Sequence, residues 1–188
     1  MNEKILVLYA SKTGYSKKYA RWIADELDCR IARADMFDTD YLMYYETVIF
    51  GGGVYALHIN GLKAITKNKG WLRGKHVHIF ACGATPPRQE DMDKIFRANF
   101  THEEQKRVRF YYFRGGFCYE KLPATDKALM SLLKMRLKYK KSLSEDEAGM
   151  LNAFEKPADF TDKRNIAPLI QAVEKEIKNT LHSPMAIK

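Results

Sequence analysis

The sequence predicts an α/β protein, a doubly wound parallel sheet with helices on both faces. Three observations predict it. Short apolar runs recur along the 188 residues, stretches of helical periodicity lie between them, and Gly, Pro, Ser, Asn or Asp marks many of the joins. The runs are apolar throughout rather than alternating, which suits strands buried on both faces, as in a parallel sheet.

Each element has its own justification. Residues 4–9 (KILVLY) form a first strand. Residues 15–27 place Tyr19, Trp22, Ile23, Ala24 and Leu27 on roughly one helical face. Residues 29–34 make a short second strand and 47–52 (TVIFGG) a third. Asn60 can cap a helix through about residue 69. Residues 75–81 (KHVHIFA) are a fourth strand, and Pro87 suits the first position of a helix to about residue 98. Residues 108–113 (VRFYYF) are the fifth strand, and Asp162 precedes a last helix to about residue 181. A single domain, 1–188, is expected, with no internal repeat.

An added segment, about 120–156, follows the fifth strand. Leu129, Leu132, Leu133 and Leu137 share a helical face among Lys127, Lys134, Arg136, Lys138, Lys140 and Lys141. Ser144 and Glu147 read as a capping box opening a second short helix. A basic amphipathic helix can lie on an anionic membrane, line a site for an acidic or apolar substrate, or simply pack on the domain with a solvated cationic face.

Composition narrows the setting. The net charge of +9 and pI near 9.4 favour anionic partners. No apolar run reaches the roughly 18–20 residues that span a bilayer, and no signal-peptide pattern opens the chain. Cys29, Cys82 and Cys118 make neither a disulfide framework nor a zinc pattern, so a reducing cytoplasm is expected. His76 and His78 alternate on the fourth strand without a further ligand nearby in sequence, and no metal is expected. Nucleic acid is disfavoured, because no basic stretch is interleaved with aromatics.

Ligands of open α/β sheets bind beyond the C-terminal strand ends, where the strand order reverses. Three segments fall there: 11–16, 51–58 and 82–88. In YASKTGYS (9–16), Ser11, Thr13 and Ser16 offer hydroxyls, Gly14 permits close backbone approach, Lys12 stands at the rim, and a helix begins. That is a phosphate socket in kind; a polar turn explains the same residues.

The same stretch resembles the [ST]-x-T-G-x-[ST] phosphate loop of flavodoxins, and the strand pattern resembles their whole fold, a five-stranded sheet of order 2-1-3-4-5. FGGGVYALHING (50–61), RGGFCYEKLPATDKALMSLLKMRLK (114–138) and ADFTDKRNIAPLIQAV (158–173) are similar to the menaquinone-dependent protoporphyrinogen dehydrogenases and their flavodoxin-domain relatives. The resemblance implies flavin mononucleotide (FMN). Ser11, Lys12, Thr13, Gly14, Tyr15 and Ser16 would hold its phosphate. Gly52, Gly53, Val54 and Tyr55 would border the ring, with Cys82, Gly83 and Ala84 opposite. His58 is a candidate proton handler or a plain surface residue, and Arg88 and Arg114 are candidates for substrate carboxylates. The implied activity is an FMN-dependent oxidoreductase passing electrons to a quinone or similar acceptor. The alternative is a flavodoxin-type electron carrier without a substrate of its own. The expected partner is accordingly a small redox substrate or a redox protein, with peripheral contact at the inner face of the membrane as a further expectation. The chain departs from carrier flavodoxins in three ways: CGATPPRQ (82–89) has no aromatic, the charge is basic, and the 120–156 segment has no counterpart in a minimal flavodoxin.

Overall fold

The computed structural model describes residues 1–68 and 70–182. Its strands are β1 (Asn2–Ala10), β2 (Cys29–Arg33), β3 (Thr47–Tyr55), β4 (His58–Ile59), β5 (His76–Gly83), β6 (Val108–Arg114), β7 (Gly116–Phe117) and β8 (Ala158–Asp159). Its helices are α1 (Tyr15–Leu27), α2 (Lys63–Thr66), α3 (Gln89–Asn99), α4 (His102–Gln105), α5 (Ala124–Lys138), α6 (Glu145–Ala153) and α7 (Ala167–His182).

The main sheet runs β2–β1–β3–β5–β6, all parallel. This is the expected 2-1-3-4-5 winding; the short β4, antiparallel to β3, adds a sixth strand and shifts the later numbers. Alternation within each strand sorts its residues between two layers. Ile5, Val7, Ile49, Phe80 and Phe113 face α1 and α7, which contribute Tyr19, Ile23, Leu169 and Val173. Leu6, Leu8, Val48, Phe50 and Ile79 face the other side, against Leu62, Ile65, Trp71, Ile95 and Phe100. Each such fully buried Leu, Ile or Phe contributes about 1.5–3 kcal/mol of transfer free energy, so the two layers dominate the fold.

The structure corrects several expectations. β3 does not stop at Gly52. It continues to Tyr55 and turns back into β4, with Ala56 and Leu57 held at φ of 46° and 69° in the turn. Those angles make a tight two-residue turn without the Asn or Gly that usually marks one. The helix expected from Asn60 is only the single turn α2, with Gly61 at φ 75° ahead of it and no side-chain cap. The Asn68 side chain accepts the Gly70 N–H at 2.8 Å just beyond it, and residue 69, the expected end, lies outside the described residues. β5 absorbs Cys82 and Gly83 from the expected third loop. α3 begins at Gln89 behind an extended Arg88, so Pro87 precedes the helix rather than opening it. Asp162 caps a 3-10 turn, Lys163–Ile166, and α7 follows that turn.

The added segment shows the largest difference. The Ser144–Glu147 capping box forms as expected. The leucine face of α5, however, divides. Leu137 is buried and Leu133 half-buried, but Leu129 and Leu132 are 68% and 65% exposed, beside Met135 and Tyr139 at 57% and 84%. The support under α5 is small, a cluster of Phe117, Tyr119 and Phe154 with Lys134 over the Phe154 ring, so only one side of the helix is covered.

Candidate flavin site

Three strand ends meet at the top of the sheet. Ala10 pairs with Gly52, and Gly53 pairs with Cys82. The strand order reverses between β1 and β3, and the segments after β1, β3 and β5 lie together at this end of the sheet, where ligands of such sheets bind. The structure thus brings 11–16, 52–55 and 82–84 together.

The first loop is shaped from within. Gly14 N–H donates to Ser11 Oγ at 3.0 Å, and Gly14 takes φ 99°, a conformation that suits glycine. No side-chain cap closes the start of α1, and the first backbone bond across it is Lys18 N–H to Gly14 O at 2.9 Å. The N–H groups of Tyr15, Ser16 and Lys17 therefore project from the positive end of a 13-residue helix. Open space surrounds the position a Gly14 side chain would take. Beside Gly14 lies a hollow of about 340 Å³ lined by Lys17, Lys18, Arg21, Trp22 and Asp25, with Lys18 paired to Asp159 at 3.0 Å.

The hydroxyls divide by task. Ser11 shapes the turn. Ser16 is buried and hydrogen-bonds the Cys82 sulfur, tying the loop to β5. Burial pushes the Cys82 thiol up to about 12, so it is neutral in water near pH 7. Among the described residues the Thr13 hydroxyl has no hydrogen-bond partner. The Tyr15 hydroxyl donates to Ala158 O at 3.1 Å and anchors the β7–β8 pair, so only the Tyr15 backbone faces the socket.

The second segment is the β3–β4 hairpin. Gly52 is hemmed in: a Cβ there would lie 2.4 Å from Asn60 O, so the hairpin closes on itself only with glycine. The Tyr55 ring folds back over Gly53 and lies 4.4 Å beneath Lys12 Nζ. Burial pushes the Tyr55 hydroxyl up to about 12. Val54 packs toward the core, and His58, exposed, stands across the strand pair from Tyr55. In the third segment a Cβ on Gly83 would meet the Tyr112 hydroxyl at 2.3 Å, and that hydroxyl donates to Thr85 O at 3.0 Å. An aromatic thus does lie under the third loop, supplied by β6 rather than by the loop itself. A Cβ on Gly115 would lie 2.5 Å from Cys82 Sγ, so the β6 end also crowds this corner.

Sequence reasoning missed Asp126. It lies on α5, 114 residues from Lys12, and its Oδ2 holds Lys12 Nζ at 2.6 Å. No local pattern signals such a pair. Arg114 stacks on Phe160 and donates from Nε to Ala84 O at 3.3 Å.

Comparison with known proteins decides the family. The flavodoxin domain model matches residues 6–144. The chain belongs to the flavodoxin domain family. None of the curated proteins matches the chain. Among solved structures, this flavodoxin domain is similar to oxidised flavodoxin 2 from Bacillus cereus: 23% identity over 59% of this chain and 84% of that one, TM-score 0.41. It is also similar to two-electron reduced Megasphaera elsdenii flavodoxin, at 13% identity over 64% and 89% of the two chains, TM-score 0.44. A flavodoxin, WrbA-like protein from Agrobacterium tumefaciens is 14% identical over 72% and 94%, TM-score 0.39. No described helix is long and apolar enough to cross a membrane.

Proposed function

We propose that this flavodoxin domain binds FMN and uses it for electron transfer, as an oxidoreductase of the protoporphyrinogen dehydrogenase kind that passes electrons to a quinone or similar acceptor. The observation that carries the reading is the uncapped start of α1, with Gly14 in a left-handed turn and the Thr13 hydroxyl without a partner. Such a socket fits a phosphate held by neutral donors. Ser11, Thr13, Gly14, Tyr15 and Ser16 would hold the phosphate through backbone N–H groups and the Thr13 hydroxyl, with Lys12 as the adjoining charge. Gly52, Gly53, Val54 and Tyr55 would border one side of the ring, and Cys82, Gly83 and Ala84 the other. FMN, when bound, supplies the one- and two-electron redox chemistry, and the protein supplies position and field. The surplus of cations favours negatively charged states in the site.

The packing of the added segment against the phosphate loop, through Lys12 and Asp126, favours a domain with its own substrate over a plain carrier. The exposed stripe Leu132, Met135 and Tyr139, flanked by Arg136 and Lys138, has the charge complementary to an anionic membrane surface, in keeping with a quinone acceptor.

Flavin-fluorescence titration tests the site. Thr13→Ala removes one hydrogen bond to a charged group, worth about 1.5–3 kcal/mol, so FMN should bind at least about tenfold more weakly. Riboflavin, which lacks the phosphate, should bind wild type and variant alike. Equal affinity of the wild type for FMN and riboflavin would overturn the assignment. Turnover of protoporphyrinogen with menaquinone then tests the substrate, and a yellow protein that only exchanges electrons with a redox protein would be a carrier.

A further inference from the structure

Beside the third loop, at the outer edge of the sheet, lies a second hollow of about 420 Å³. Tyr112, Arg114, Phe160, Asp162, Pro87 and Pro168 are among the residues that line it. Two aromatic rings and two prolines form its apolar part, and Arg114, Asp162, Arg164 and Asn165 its polar part. Its charges are unequal in their commitments. Arg164 is spent on Asp162, donating from Nε to both carboxylate oxygens at 3.1 and 2.9 Å, and the Asp162 charge is spent in turn. The Asn165 side chain donates to Tyr19 Oη at 3.1 Å, and the Tyr112 hydroxyl is held by Thr85.

Arg114 is the exception. Its guanidinium carbon lies 3.8 Å from the centre of the Phe160 ring, which holds the planar group in one orientation. Its Nε donates to Ala84 O. Among the described residues its terminal nitrogens carry no hydrogen bond and no ion pair. The backbone around it is firmly placed. Tyr19 Oη donates to Arg114 O at 2.7 Å, Gly115 N–H to Gly83 O at 2.7 Å, and Phe160 N–H to Gly115 O at 2.8 Å. A half-buried, oriented cation with its fork unspent, beside two rings and two prolines, is an anchor for a planar anion.

We infer that this hollow binds an organic carboxylate with an apolar body, through Arg114. The inference deepens the proposed function and rests on it for one point: the Ala84 contact sets the anchored molecule beside the flavin, as the carboxylate end of the redox substrate. An apolar body distinguishes this ligand from free phosphate, which would gain nothing from Phe160 and the prolines.

The test is a titration of the full chain, with and without FMN, by nuclear magnetic resonance of the arginine Nε–H signals. The probes are sodium benzoate, benzyl alcohol as its neutral analogue, and inorganic phosphate, all at constant ionic strength. Benzoate should bind saturably and shift the Arg114 signal. Benzyl alcohol should bind at least about tenfold more weakly, because it forfeits a charge-assisted pair. Arg114→Gln should lose benzoate to the same degree while FMN affinity stays within about twofold. With FMN bound, benzoate should also perturb the flavin absorbance. Benzoate shifts that do not saturate, that phosphate reproduces, or that persist in Arg114→Gln would overturn the carboxylate site. The contrast between benzoate and benzyl alcohol in the wild type decides the matter even if the variant fails to fold. Failure of the wild type to bind FMN would instead overturn the flavin reading and the placement beside it, while the benzoate arms still judge the site.

Discussion

Lys12 Nζ lies 2.6 Å from Asp126 Oδ2 and 4.4 Å from the centre of the Tyr55 ring. One lysine therefore joins the loop between β1 and α1, the β3–β4 hairpin and the added helix. The pair is partly shielded, with side chains 31% and 19% exposed, so salt screens it less than an open surface pair.

With FMN bound as proposed, Asp126 would compete with its phosphate for Lys12. Asp126→Asn should therefore raise FMN affinity, by about three- to tenfold at low salt, and the gain should shrink as salt screens the freed charge. Riboflavin affinity should not change. FMN titration at two ionic strengths checks this, and a fall in FMN affinity would show that the pair shapes the loop rather than competing with the ligand.

A second network lies away from the crevice, under α7. Glu176, nearly buried, takes His78 Nε2 at 2.9 Å, Arg109 at 3.0 Å and His76 Nδ1 at 3.5 Å. His78, fully buried, has its Nδ1 3.1 Å from the Tyr111 hydroxyl. Burial alone would raise the Glu176 carboxyl, but the His78 hydrogen bond and the charges of His78, His76 and Arg109 together hold it below the usual carboxylate value. A depressed folded pKa contributes stability that is present above the unfolded value and is lost as pH falls through the folded one. Glu176→Gln should cost about 1–3 kcal/mol at pH 7, and the deficit should narrow below the ordinary carboxylate range. Urea unfolding at pH 7 and at acid pH measures both, and a midpoint equal to wild type at pH 7 would refute the role given to the carboxylate.

Cys29 and Cys82 should be inert in the native state. Burial lifts Cys29 and Cys82 each to about 12, leaving almost no thiolate at pH 8. Both should resist a disulfide-exchange reagent at that pH and react only on unfolding. Rapid native labelling of Cys82, located by peptide mass, would mean that the corner beside Ser16 opens in solution.

The outer stripe of α5 gives a surface prediction. The wild type should co-sediment with phosphatidylglycerol vesicles and not with phosphatidylcholine vesicles. Arg136→Gln with Lys138→Gln should weaken that binding by about tenfold or more, at roughly 1 kcal/mol per cation, without affecting FMN. A wild type that stays in the supernatant at low salt would remove the membrane from the account.

Local pattern was enough for much of this molecule. The apolar periodicity of 15–27 gave the bounds of α1 to the residue, Ser144 and Glu147 announced their capping box, and continuous apolar runs set the sheet and the crevice above it. Those features depend on neighbours in the chain, through side-chain period, capping and turn chemistry. The rest depends on partners brought together by folding. The Ala56–Leu57 turn forms because β3 and β4 pair, not because either residue prefers a positive φ. Asp126 reaches Lys12, Phe160 reaches Arg114 and Glu176 reaches His78 from positions 46 to 114 apart in the chain. A sequence names the charges and rings that need partners. Which partners they obtain follows from strand register and loop closure, and only the tertiary structure decides those.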